Sequence, residues 1–281
     1  MRLRPAPIAA LCALPFVLVP TSAASQTSAA EMLEAALAHH ESRTSGIENY
    51  TIVQNVMGME STIYYERETV NGRTVFRPRH MTVGGQSMPV DNEEAGTPHE
   101  MLASAVEHAK LEGTETVQGR TTHVLAIDDL SAVPGLAPLP EEAGDMELRR
   151  ATLYLDAADH VVRKMMMEGT TTVDGRTQPI TMEVQLEDYR DIEGLLHPFR
   201  SVMKMTGPAP GMSPADIEQA RRSFEEMKAA MAKMSDAERK MMEGMMKPQM
   251  ERLEKMLSGG GMEFVVEVTD LRVNTGPPGA R

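Results

Sequence analysis

The residues able to do chemistry are scattered along this chain and form no recognisable set. Its eight histidines are His39, His40, His80, His99, His108, His123, His160 and His197. They make no H-x-x-x-H pair and no tract with metal-ligand spacing, and adjacent His39 and His40 point to different sides of a helix. Gly84-Gly85-Gln86-Ser87-Met88-Pro89 has the outline of a nucleophile elbow but lacks the glycine after the serine. Neither a phosphate loop nor a dinucleotide fingerprint occurs. Asp128-Asp129 and Glu141-Glu142 are carboxylate pairs with the chemistry of general acids, although such pairs in loops are ordinarily solvated. Asn49-Tyr50-Thr51 is a formal glycosylation sequon, read as chance. No catalytic residue, metal site or cofactor is expected, and the chain reads as non-enzymatic.

Methionine is the residue in excess, at 25 of 281, while Trp is absent and Phe and Tyr number five each. A thioether is a soft ligand for Cu(I) and also an adaptable apolar filler. The methionines concentrate between 213 and 257. Ser213-Pro214 supplies an N-cap and a proline at the first helical position, and Ile217, Ala220, Phe224, Met227, Met231 and Met234 then follow at three- or four-residue spacing. Ser235 and Glu238 form a capping-box signature for a second helix bearing Met242, Met246, Leu253 and Leu257, with Pro248 expected to kink it. Three readings are open for this Met-rich hairpin: packing onto the sheet, a flexible lid or groove for a greasy ligand or partner helix, and copper binding. Copper is the weakest, because nearly every Met falls on an apolar stripe that a helix needs anyway.

The elements that position these residues are mostly strands. Ile180, Met182, Val184 and Leu186 alternate with Thr181, Glu183, Gln185 and Glu187, which gives an extended segment one dry and one wet side. The rhythm recurs in Ala151/Leu153/Leu155, Phe199/Met203/Met205 and Phe264/Val266/Val268. Strands are expected near 48–57, 60–70, 73–83, 112–118, 121–128, 147–156, 160–173, 177–190, 196–206 and 262–273. Helices are expected over 29–43 and 98–109. Residues 131–144 read as a loop within the domain and the tail beyond Asn274 as frayed. Three similar turns, Asn71-Gly72, Gln118-Gly119 and Asp174-Gly175, each preceded by Thr-Val and followed by Arg-Thr, predict tight hairpins between adjacent antiparallel strands.

Residues 1–24 carry the marks of a secretory signal: Arg2 and Arg4, an apolar run from Ala6 to Val19, and Ser22-Ala23-Ala24 before a cleavage point near Ala24. Cys12, the one cysteine, lies inside it after Leu11, which does not suit a bacterial lipidation site. The expected product is a periplasmic or otherwise exported domain, 25–281, without a thiol or an integral membrane segment and with 213–257 inserted. Loss of Arg2 and Arg4 leaves 26 basic against 41 acidic residues, a net −15 that disfavours nucleic acid and anionic membrane as partners.

Tyr154-Leu155-Asp156 through His160-Val161-Val162-Arg163-Lys164, Leu186-Glu187-Asp188-Tyr189-Arg190-Asp191-Ile192-Glu193-Gly194-Leu195-Leu196-His197-Pro198-Phe199-Arg200, and the closing Glu267-Val268-Thr269-Asp270-Leu271-Arg272-Val273-Asn274-Thr275-Gly276 resemble the periplasmic outer-membrane lipoprotein carrier superfamily (LolA/LolB-like). The resemblance implies an α+β fold: a strongly curved antiparallel sheet, an incomplete barrel, with helices on its concave face and an apolar cavity between them. It implies a protein that carries acyl chains or other apolar ligands; the insertion at 213–257 departs from that pattern, and no functional residue of the carriers aligns onto this chain.

The expected function is therefore non-enzymatic binding of an apolar ligand, an acyl chain or a lipidated protein. Candidate lining residues are Met165, Met167, Met203 and Met205 on strands and Phe224, Met227, Met231 and Met234 on the insertion. The alternative is an interaction module that engages another envelope protein through its acidic surface or the helical hairpin, with Met-based copper binding third.

Overall fold

The computed structural model describes residues 27–277, apart from 57, 71, 91–97, 131–132, 134–145, 174, 208–213 and 233–260. In chain order the elements are α1 (Ala29–Arg43), β1 (Asn49–Val56), β2 (Met59–Val70), β3 (Arg73–Val83), β4 (Gln86–Met88), α2 (Pro98–Ala105), β5 (Ala109–Val117), β6 (Arg120–Ile127), β7 (Met146–Asp156), β8 (Val162–Val173), β9 (Arg176–Ile192), β10 (Leu195–Thr206), α3 (Pro214–Ala232) and β11 (Met262–Val273). The eleven strands form one antiparallel sheet in the order β4-β3-β2-β1-β11-β10-β9-β8-β7-β6-β5. The sheet is open, with β4 and β5 at its edges; the alternating strands predict its antiparallel pairing, and it has the curved α+β architecture that the family resemblance implies. No helix among the described residues is long and apolar enough to cross a membrane.

The repeated turn chemistry does what its spacing predicts. Val70 opposes Arg73, Val117 opposes Arg120, and Val173 opposes Arg176, so all three turns join neighbouring strands. Gln118 and Gly119 have φ of 52° and 75°, the two left-handed residues of a type I′ turn. Strands β10 and β11 pair directly, from Arg200↔Glu267 to Met205↔Met262, so the segment holding α3 is inserted between sheet neighbours. The second expected helix of the hairpin, Pro248, Met234, the signal at 1–24 and most of 131–144 lie outside the described residues.

Two expectations need correction. The helix read over 98–109 stops at Ala105, where tighter three-residue bonds from Val106 to Ala103 and from His108 to Ala105 end it. Ala109 already pairs with Ile127, so the next strand begins earlier than its composition suggests. The Gly84-Gly85 segment is a hairpin turn into β4, a three-residue strand too short to show a period.

Residues opposed across an antiparallel pair project to the same face. Register therefore defines two apolar rows across the inner face: Leu111–Leu125–Leu153–Met165–Val184–Met203–Phe264 and Ala109–Ile127–Ala151–Met167–Met182–Met205. Over β5 to β8 these rows pack with Ala29, Leu33 and Ala36 of α1 and Ala105 of α2 as the main core. A capping box between Ser28 and Glu31 starts α1. A second cluster, with Ile52, Phe76, Leu195, Phe199, Leu271 and Val273, holds the opposite flank.

The turn from β7 to β8 is organised by Asp156, whose side chain is 1% exposed. Its carboxylate accepts from the backbone N–H of Ala158 and Asp159 at 2.8 and 3.0 Å, and from Nε of Arg120 and Arg163 at 3.0 and 2.9 Å. Burial alone would raise its pKa, but these bonds hold the carboxyl well below the usual carboxylate range. Asp156→Ala removes the buried carboxylate shared by Arg120 and Arg163 and leaves the buried Arg163 guanidinium with Asp159 as its counter-charge. A loss of about 3–5 kcal/mol in urea or guanidinium unfolding is expected, and a change within experimental error would show that the cluster is ornamental to stability.

Candidate functional site

The C-terminal half of α1 is fixed over the sheet by three separate contacts. Arg67 of β2 donates through Nη1 to the carbonyls of Thr44, Ser45 and Ile47 at 3.2, 2.7 and 3.0 Å, satisfying the loop that leaves the helix. Arg43 pairs with Asp191 at 2.6 Å, and the other oxygen of Asp191 accepts from the N–H of Gly194 in the β9–β10 turn. Gly194 has φ of +96°, and a Cβ there would stand 2.7 Å from the Arg43 carbonyl oxygen. Only glycine permits both that backbone and that approach.

Between this helix and the inner face lies a cavity of about 400 Å³, a size typical of small-molecule sites. Helix α1 contributes Ala36, His39, His40 and Arg43, and α2 contributes Leu102. Strands β1 to β3 contribute Tyr50, Ile52, Tyr65, Val75 and Phe76, while β8 to β10 and their turns add residues that include His160, Val162, Leu186, Tyr189, Leu195, His197 and Ser201. Tyr50 stacks on Tyr65 at 4.7 Å and tilts against Phe76 at 5.1 Å, forming an aromatic wall. Burial pushes both phenols up, so they remain neutral hydrogen-bonding groups at any physiological pH.

Polar groups cluster where α1 meets the sheet turns. The rings of His39 and His160 are 5.3 Å apart, with His160 held at φ of +56° in the turn that Asp156 organises. The hydroxyl of Tyr189 donates to the Val162 carbonyl at 2.6 Å, and Arg163 lies 4.7 Å from the same ring. His197 Nε2 and Arg43 Nε are buried and meet no hydrogen-bond partner among the described residues. A wider polar groove of about 650 Å³ adjoins the cavity and shares Arg43, Tyr189 and Leu196 with it. Its charges are largely paired, Arg120 and Arg163 with Asp159 and Arg43 with Asp191. Among the described residues no group of three His, Cys, Asp or Glu side chains could hold a metal ion.

The candidate methionines sit elsewhere. Met167 is buried in the main core, Met165 packs beside it, and Met203 and Met205 continue the same rows on β10, half-buried. Phe224 and Met231 are buried and Met227 half-buried on α3, and Lys228 stands 4.4 Å over the Phe224 ring. The cavity wall is instead aromatic and aliphatic, and sequence reasoning passed over it. A usable signal was present: in a chain with five Tyr and five Phe, Tyr50, Tyr64, Tyr65 and Phe76 all fall on three consecutive strands.

Burial lowers the pKa of His197 to about 4, below its ordinary value of 6.5. The unfolded chain then binds the proton more readily, so this residue favours folding fully above pH 6.5 and less as pH falls toward 4. His197→Phe should flatten that part of the pH–stability curve, by at most about 1.4 kcal/mol per pH unit. An unchanged acid slope in chemical denaturation would show that the ring is solvated.

No family model matches this chain and no curated protein matches it. Solved structures do resemble it. A DUF1329 family protein from Desulfovibrio piger aligns over 87% of this chain and 94% of its own, with 9% identity and a TM-score of 0.37. A putative outer membrane lipoprotein-sorting protein domain from Vibrio parahaemolyticus covers the same shares, with 11% identity and a TM-score of 0.35. A LolA superfamily protein from Nitrosomonas europaea does so as well, with 12% identity and a TM-score of 0.32. These likenesses are distant.

Proposed function

We propose that this protein is an exported, non-enzymatic binder of an apolar ligand, an acyl chain free or attached to a lipidated protein, held in the cavity between α1 and the inner face of the sheet. The observation that carries the reading is the cavity itself, about 400 Å³ of space walled by Tyr50, Ile52, Phe76, Leu102, Leu186 and Leu195. Burying an acyl chain there contributes roughly 0.8 kcal/mol per methylene, so affinity needs no elaborate polar site. The signal-like residues 1–24 support export. The partly buried methionines Met165, Met203 and Met205, with Phe224, Met227 and Met231 of α3, are proposed as a second soft wall along which a longer chain extends.

Ser201 lines the cavity and opposes Leu186 across the β9–β10 pair, so a larger side chain at this position enters the same space. The mature protein is expected to displace a fluorescent fatty-acid probe and to co-purify with lipid visible by native mass spectrometry. Ser201→Phe should weaken probe binding by about tenfold or more while the far-ultraviolet circular dichroism stays the same. Failure of the wild-type chain to bind probe or lipid would overturn the reading.

A further inference from the structure

The cavity lining has a one-sided chemistry. The whole chain holds 41 acidic against 28 basic residues, yet the lining includes Arg43, His39, His40, His160 and His197 and neither an aspartate nor a glutamate. The basic groups come from the last turns of α1, the β7–β8 turn and the start of β10, whereas the aromatic wall comes from β1 to β3. The space is thus bounded by nitrogen donors from one group of elements and by rings and aliphatic carbons from another.

Two of those nitrogens lack partners. Arg43 uses one terminal nitrogen on Asp191, while its Nε is buried and unpaired among the described residues. His197 Nε2 is in the same condition, and both residues line the cavity. Arg43 Nε is always a donor, and His197 Nε2 is a donor in the tautomer that carries the ring proton there; a shielded donor without an acceptor is costly to the fold, and an acceptor delivered by a ligand removes that cost. A carboxylate is the acceptor that gains most from a guanidinium and imidazole N–H groups, since charge-assisted bonds are about twice as strong as neutral ones. An ammonium head group would meet Arg43 and find no carboxylate in the lining.

We infer that the occupant is a single-chain amphiphile with an anionic head, a long-chain carboxylate whose head group meets Arg43 and His197 and whose tail lies against Tyr50, Ile52 and Phe76. This rests on the apolar-ligand reading above and narrows it to a free acid in preference to an ester-linked acyl chain.

Titration calorimetry of the mature chain at neutral pH with dodecanoate, methyl dodecanoate, dodecanol and dodecylamine tests it. Dodecanoate should bind about tenfold or more tighter than the ester and the alcohol, with the amine weakest. His197→Phe and Arg43→Gln should each lower dodecanoate affinity about fivefold or more and lower dodecanol affinity by a clearly smaller factor. Equal affinity for acid, ester and alcohol would overturn the head-group inference and leave the apolar-ligand reading standing. Absence of binding by all four ligands would overturn both.

Discussion

An open sheet of eleven strands has a problem of coverage. At about 4.8 Å per strand its inner face is some 50 Å broad before curvature. The helices available to cover it are short. With 15 residues α1 reaches about 22 Å, and α2, with eight, about 12 Å. Curving the sheet narrows the gap, and α1 and α2 seal the part over β5 to β8 into a core. Beyond that core the apolar face must find another cover or leave space. The cavity lies where that coverage runs out, and the half-buried methionines of β9 and β10 continue the apolar rows beyond the core.

Helix α1 is held over the sheet by two kinds of contact. The N-terminal half is buried through Ala29, Leu33 and Ala36. The C-terminal half, where Leu37 is also buried, is gripped in addition by directed contacts: Arg67 on the carbonyls of Thr44, Ser45 and Ile47, Asp191 on Arg43, and the Gly194 backbone against the Arg43 carbonyl. These directed contacts lie around the rim of the cavity that Ala36, His39, His40 and Arg43 of the helix help to line.

Much of this was legible from residue order. The alternation in 180–187 placed Ile180, Met182, Val184 and Leu186 on the inner face, and the three repeated turns identified neighbouring strands because only glycine, after a tolerant residue, fits their backbone. The placement of an insertion between β10 and β11 was also readable, from Gly207 and Pro208 on one side and the glycines 259–261 on the other. The cavity wall was not. Tyr50, Ile52 and Phe76 read simply as strand residues, since what sets them apart is the register of β1 to β3 beneath α1, a relation between distant segments. Abundance misled as well: Met167 opposes Ala151 and Met182, so it fills the core beside a small residue and never reaches open space. Asp156 was noticed as part of a family-like stretch, but its four donors, two of them backbone N–H groups, show that it builds a turn.

The open sheet leaves two rims, and each is unfit for extension. Strand β4 is three residues long, all of them exposed, and too short to template another chain. Strand β5 breaks its ladder between Leu111 and Gly113, where φ is +152°, and it displays Glu115 and Lys110 along a largely solvated edge. A kinked or stunted rim bearing charge offers no straight row of amides for a second copy to zip onto. Copies of this chain thus find no ready seam along these rims through which to polymerise by backbone pairing.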